Sequence, residues 1–411
     1  MVTGLFPVNL LRHTSDILCG IFSLRDKTEN ILQHQNIGIH CRKRLSSYYK
    51  EANPRSTVNS YTTDDYLFLS TRVIYTKTFI EGLLLTVDEI KDTIILHNDN
   101  IVSFIISKSK IRQLERIINQ GDGLISLSKI KSLNLKQVQL SHLNTDEADE
   151  LKIISSPADL VVYHEEEILK DLEILFKRKK NEKKHRIQAE TINPAKIFTE
   201  QNCKINRNVV LDATKGPVYI SKNTEIEPFT YIKGPVYIGE SSLVRSGSKL
   251  YGPLRIGDYC KVSGEITGSI FHSYVNKQHL GFIGHSYICE WVNLGAGTTT
   301  SNLKNNYSNI SILINRSKIN TSSIFLGSII GDHTKTGIST MLNSGTVIGI
   351  SCNLFGGGFH PKFIDSFSWA EADEKTKRYE IDKALNTAKI SMTRRNLRMP
   401  SSYEKLFKSY F

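Results

Sequence analysis

The sequence predicts an α/β domain, then a parallel β-helix, then a short helical tail, and three observations carry this. Beyond residue 205, Ile220, Ile226, Ile232, Ile238, Val244, Leu250, Ile256 and Val262 recur at a strict spacing of six. Upstream, apolar runs of strand length alternate with stretches of helical spacing. After residue 370 the pattern turns charged and mostly helical.

The length of 411 residues exceeds what one hydrophobic core usually supports. The expected units are an α/β domain at 1–176, a basic linker at 177–190, the β-helix at 191–370 and the tail at 371–411. In the first unit "YLFLSTRVIY", "GLLLTVDEI" and "TIILH" read as strands, and "SKIRQLERIINQ" and "EEEILKDLEILFKRKK" as helices. The six-residue spacing belongs to no helix, because 3.6 residues per turn scatters such positions around the surface. Hairpins fail too, since evenly spaced elements leave nowhere to reverse. A coil in which each hexad forms one flat side, its aliphatic pointing inward, satisfies the pattern.

The period is expected to resume at Phe282, Ile288 and Leu294, and again at Ile324, Ile330, Leu342, Ile348 and Leu354, with Thr336 filling one slot. Glycine follows the aliphatic in "IGE", "IGD", "LGA" and "IGI", where a corner needs a residue tolerant of positive φ. "SNLKNNYSNIS" interrupts the period and reads as a loop at a binding face. "FGGGF" at 355–359 lacks the Lys-Ser or Lys-Thr of a P-loop and reads as a sharp exit from the coil. The tail, broken at Pro400, is expected to cover the coil's open end.

Composition narrows the function classes. A net charge of +12 suits nucleic acid, an anionic surface or anionic small molecules. The densest basic block, "KRKKNEKKHR" at 177–186, has no interleaved aromatics for base stacking, so no nucleic-acid partner is expected. No apolar run has bilayer-spanning length, so a membrane span is not expected, and the first residues lack a signal-peptide pattern. Six scattered cysteines without a CxxC pair argue against a zinc cluster or a disulfide framework and for reduced thiols in a cytoplasm.

The stretch "NKQHLGFIGHSYICEWVNLGAGTTTSNLKNNY" at 276–307 is the candidate site. With Phe282, Ile288 and Leu294 inward, His279 and His285 face outward. An outward histidine is reachable from a groove and suited to removing a proton at neutral pH. The small residues of "GAGTTTSN" allow backbone N–H groups to approach a developing oxyanion, and Asn293 and Asn302 can bond a sugar or an amide. A catalytic floor and a decorated scaffold both fit these residues. Zinc held by His272, His279, His285 or His333 is disfavoured because neighbouring sides of a coil diverge. "GDHTKTG", with Asp332, His333 and Lys335, reads as a solvated corner or as a contact for an anionic cofactor.

"NKQHLGFIGHS", "EWVNLGAGTTTSNLKNNY", "GDHTKTGIST" and "NSGTVIG" resemble motifs of a GlmU-like family of sugar nucleotidyltransferases. "LFPVNLLRHTSDILCGIFSLRDK" and "SSPADLVVYHEEEILKDLEILF" resemble that family's N-terminal domain in order and spacing. The resemblance implies a nucleotidyltransferase-like α/β domain, a left-handed β-helix and a homotrimer with active sites between subunits. It further implies a cytoplasmic enzyme of UDP-N-acetylglucosamine-type and cell-envelope synthesis that takes a sugar phosphate and a nucleoside triphosphate. Acetyl-CoA would donate the acetyl group, and Mg²⁺ would serve nucleotidyl transfer.

By position, His279 corresponds to the base that deprotonates the sugar amine. Asn293 and Asn302 correspond to sugar or acetyl-donor contacts, and Ala296, between Gly295 and Gly297, to the thioester contact. Lys277, off the family's offset from the histidine, is a further candidate for sugar contact. Arg12, Arg25 and Lys27 are the candidates for triphosphate. The departures are Phe282 in place of a tyrosine, His13 for a proline, Leu18 for an arginine, and no GxGTxM loop or assignable pair of metal carboxylates. A nucleotidyltransferase with a purely structural coil, an acyltransferase with an inert front domain and a non-catalytic nucleotide-sugar binding protein remain as alternatives.

Overall fold

The computed structural model describes residues 2–33, 37–142, 151–179, 187–315, 317–372 and 375–411. Residues 180–186 of the expected basic linker therefore lie outside the described residues.

The front domain is built on β1 (Tyr66–Leu69), β2 (Val73–Ile74), β3 (Thr93–His97), β4 (Asn100–Ile106), β5 (Lys136–Gln139) and β6 (Lys152–Ile153). Four of these form a sheet in the order β1-β4-β3-β5, and β2 pairs with β6. Its helices are α1 (Leu24–Leu32), α2 (Lys43–Ala52), α3 (Lys77–Thr86), α4 (Lys108–Asn119), α5 (Leu127–Ile130), α6 (Pro157–Val162) and α7 (His164–Arg178). The expected helices are α4 and α7; in α4, Ile111, Leu114 and Ile118 form the buried stripe. "GLLLTVDEI" is not a strand. It falls mostly in α3, where the Thr76 hydroxyl caps the Phe79 N–H at 3.2 Å and Phe79, Ile80 and Leu83 bury one face. The helical period outweighs the apolar run because Leu84 and Leu85 on the other face stay exposed.

The second unit is a parallel β-helix of three faces. One face runs from Glu190–Ile192 through Tyr231–Lys233 to Phe282–Gly284 and continues at Thr299–Thr300 and Met341–Leu342. The second has nine strands, from Ile197–Thr199 to Phe363–Ile364. The third runs from Lys204–Ile205 to Asn276–Lys277 and resumes at Lys335–Thr336. Parallel register sets like on like: Ile220 beside Ile238, and Ile238 beside Ile256. All eight aliphatics of the strict run are fully buried in one core. Burying each stabilises by about 1.5–3 kcal/mol relative to exposure.

Four expectations about the coil are corrected. The inward residue is Ile283, not Phe282, because the next corner is short and Ile288 follows Ile283 by only five positions. Ile324 is exposed, because it lies on the insertion, and the buried Thr300 holds the slot that precedes Ile330. The insertion is more than a loop: Ser311–Ile314 and Ser317–Asn320 form an antiparallel hairpin whose Ile310, Ile312 and Ile314 pack with the front domain's Leu5, Val8 and Ile17. "FGGGF" is not the exit, since the chain returns through the buried His360, Ile364 and Ala370.

Leu5, Val8, Ile17 and Cys19 pack on the outer side of the second face, against Ile270, Tyr287 and Ile329. The Tyr287 hydroxyl accepts the Leu18 N–H at 3.1 Å. The tail forms α8 (Ile381–Thr393) and α9 (Ser401–Lys408), with Pro400 at the break. Ahead of these helices the tail's Lys377–Arg378 pairs antiparallel with Ser368 and Trp369, in the last strand of the third face, and so covers that edge of the coil. Ala384, Leu385 and Phe407 pack on the flank, between Leu45 and Tyr49 of α2 and the coil's Trp291, Ile350 and Phe367, because that is where apolar surface awaits cover.

Candidate active site

The corner joining the third face to the first carries the candidate site, and hydrogen bonds stack its successive turns. The Gly247 N–H donates to Pro228 O, the Gly297 N–H to Leu280 O at 2.9 Å, and the Ser339 N–H to Ala296 O. His279 is exposed on this corner, in the loop after Asn276–Lys277. Directly below it lies the shelf of Gly295, Ala296 and Gly297, all half-exposed. Adding a side chain at Gly295 would place its Cβ 2.3 Å from Gly337 O, so the tight stacking demands glycine there.

The structure thus brings His279 together with the shelf, but it spends most of the shelf's donors. The Gly295 N–H donates to Thr336 Oγ1 at 3.0 Å and the Gly297 N–H to Leu280 O. Among the described residues none accepts the Ala296 N–H, which leaves it for an incoming oxygen. The other site residues are spread out. Asn293 is half-buried on the third face, bridged to Asn276 and Lys335. Asn302 stands at the far end of the first face, its Nδ2 2.8 Å from His285 Nδ1. Burial lowers the His285 pKa, so its ring is neutral and accepts there. The ring also stacks on Phe325 at 5.0 Å. Phe282 points outward, half-buried, beside Glu265 in register.

Lys277 does not reach a substrate. It is fully buried, in an inward slot of the coil next to Val262. The one signal in the sequence was its spacing, six residues after Phe271 and six before Ile283. "GDHTKTG" is likewise no solvated corner: Asp332, His333 and Thr334 are buried, and Lys335 Nζ donates to Trp291 O at 2.6 Å.

The front-domain cations are committed elsewhere. Arg12 bonds Asp332 of the coil and donates to Val8 O at 2.9 Å, with Glu290 at 3.9 Å. Arg25 pairs with Asp16 at 3.0 Å. Lys27 lies 2.9 Å from Glu167 and 2.5 Å from Asp171. Burial opposes the charge on each, and the facing carboxylates overcome it and raise all three pKa values. As free cations for a triphosphate they are unavailable, because charges removed from water must be paired inside the fold. The sequence could not signal this, since Asp332 lies 320 residues from Arg12.

Residues 1–180 match the family model for sugar nucleotidyl transferases. A bifunctional sugar-1-phosphate nucleotidylyltransferase/acetyltransferase of Sulfurisphaera tokodaii is 34% identical over 163 residues, 39% of this chain and 40% of that protein. The bifunctional protein GlmU of Methanococcus aeolicus is 40% identical over 155 residues, 37% of each chain. Over these stretches the chain is similar to GlmU-type proteins. Each match spans about two fifths of the length of these curated relatives. Among solved structures, a UDP-N-acetylglucosamine acyltransferase of Francisella novicida is 14% identical with a TM-score of 0.28, covering 55% of this chain and 78% of that one.

Proposed function

We propose that the left-handed coil transfers an acetyl group from acetyl-CoA to the amine of a sugar phosphate. The observation that carries this reading is the pairing, on one corner, of an exposed imidazole at His279 with a half-exposed shelf whose Ala296 N–H is uncommitted. The sugar amine attacks the thioester carbonyl, His279 takes the amine proton, and the C–N bond forms as the Ala296 N–H donates to the carbonyl oxygen. The C–S bond then breaks and the thiolate of coenzyme A takes the proton from the His279 imidazolium and leaves as the thiol.

The same corner supports a homotrimer with sites between subunits. Phe229, Leu280 and Ile338 lie on it at 69%, 78% and 77% exposure, apolar surface that a second copy would cover. Asn302, at the far end of the first face, would then serve a neighbour's His279. Cytoplasmic activity in amino-sugar nucleotide synthesis follows from this reading.

In the front domain a cleft of about 430 Å³ is lined by Lys27, Lys77, Lys152 and Lys170 together with Glu167 and Asp171. Lys27, Lys152 and Lys170 are paired with acids, which leaves Lys77, whose pairing with Glu81 is exposed, as the cation through which it would meet a phosphate-bearing ligand such as a nucleoside triphosphate. The carboxylates do not fit Mg²⁺. Asp171 accepts from Lys27 and from the N–H groups of Ile21 and Phe22, and Glu167 bonds Lys27 and Lys152. No metal-holding cluster occurs among the described residues.

The test is a two-part assay of the purified chain. Thiol release is followed from acetyl-CoA with glucosamine-1-phosphate, and pyrophosphate release from UTP with N-acetylglucosamine-1-phosphate and Mg²⁺. We expect thiol release alone, reduced roughly 100-fold or more in His279→Ala. Retained thiol release in that variant removes His279 as the base. Pyrophosphate release without thiol release makes the coil a scaffold.

A further inference from the structure

Lys277 stands where an aliphatic side chain belongs. Its column on the third face reads Ile205, Ile226, Val244 and Val262 on one side of it and Leu294, Thr336 and Leu354 on the other. The lysine is fully buried among them, and burial lowers its pKa to about 8, since no carboxylate offsets the loss of water. An ammonium placed there costs stability that a valine or leucine would not.

What the lysine gains is a pair of carbonyl oxygens. Nζ donates to His279 O and, at 2.8 Å, to Leu280 O. Both belong to the corner loop between two strands, where the ladder supplies no inward partner. Leu280 O is also the acceptor of the Gly297 N–H from the turn below. One buried nitrogen therefore holds the backbone carrying His279 by the same Leu280 carbonyl that accepts the Gly297 N–H of the shelf carrying Ala296. Space around it is tight: a Cβ on Gly281 would lie 3.2 Å from Nζ.

We infer that Lys277 is a positioning residue that fixes the His279 loop against the glycine shelf from inside the coil. This inference rests on His279 being the base of the proposed acetyl transfer, and its test separates the two. Lys277→Met fills the slot without a donor, and Lys277→Gln restores one amide donor. Amide hydrogen exchange on the full chain is read at residues 279–282 and 297, with Ile232 and Leu250 as distant references, alongside kcat and KM for acetyl-CoA and glucosamine-1-phosphate.

In Lys277→Met we expect exchange at 280–282 and 297 to rise about 10-fold or more with the references unchanged. kcat should fall by roughly 100-fold while KM for acetyl-CoA stays within about threefold, because misplacement of a base acts on the chemical step. Lys277→Gln should fall between Lys277→Met and the wild type. Wild-type exchange and wild-type kcat in Lys277→Met would overturn the inference. If Lys277→Met does not fold, Lys277→Gln is judged by the same criteria. If His279→Ala keeps acetyl transfer, the base assignment falls, and exchange at 280–282 and 297 decides the anchor alone.

Discussion

The two units bury cations in opposite ways. In the front domain Arg12, Arg25 and Lys27 each meet carboxylates, and the attraction outweighs desolvation enough to raise their pKa values. In the coil Lys277 and Lys335 meet only carbonyl oxygens, and burial lowers both to about 8. The difference follows from architecture. Loops and helices of the front domain can bring acids from distant positions onto a cation, whereas a coil interior three residues wide on each face offers little but its own corners. Of the paired cations Arg12 holds the two units together and Arg25 and Lys27 hold the front domain, while carbonyl-bound lysines hold the coil's own turns.

The largest effect should come from breaking the pair across the two units. Asp332→Asn leaves the buried Arg12 guanidinium with only Glu290, 3.9 Å away, as counter-charge and should cost about 3–5 kcal/mol in chemical denaturation. Arg12→Met with Asp332→Asn should recover most of that loss, because both charges are then gone. Equal stability of the single and double variants would mean that Arg12 is not neutralised by Asp332.

The next effect separates the two kinds of cation by pH. Lys277 holds its proton less tightly in the folded chain than at the ordinary lysine value of 10.5. Between about pH 8 and 10.5 the unfolded chain binds more protons, so the stability of the wild type relative to Lys277→Met should rise with pH, by about 1–3 kcal/mol in all. Lys27 has the raised value, so its contribution should hold across that window and fade only above it. Comparing variants cancels the buried thiols, whose raised pKa values act in the other direction above pH 9. A flat difference curve would show that Lys277 is not desolvated.

The smallest effect is the control for both. Lys77 and Glu81, 3.4 Å apart and exposed at 72% and 56% of their side chains, form a surface pair on α3. Lys77→Ala should change stability by less than about 0.5 kcal/mol and lose even that in high salt.

The coil was legible because its period reports which way each side chain faces. Ile232, Leu250 and Ile256 needed only their spacing, and His279 was placed outward although Phe282 was taken for its inward neighbour Ile283. The short corner between Ile283 and Ile288 shifted the phase, and no residue type announces a shortened corner. α3 was missed because a run of leucines satisfies a strand and a helix alike until one face is covered. Half of the site was readable: the small residues of 295–297 foretold a close approach, but not that Thr336 and Leu280 would take two of the three N–H groups.

The sequence by itself determined the coil, its fully buried aliphatic columns, the outward histidine and the two families of helix-forming segments, because these are local periodicities that each residue carries with it. Tertiary structure alone decided which charges are available for chemistry. Arg12 looked like a phosphate ligand until Asp332 came beside it, and Lys277 like a sugar contact until the coil closed over it. A charge's role depends on the water it keeps and the partner it meets, and both are set by how the chain closes around it, from 320 residues away for Arg12 and from the neighbouring turns for Lys277.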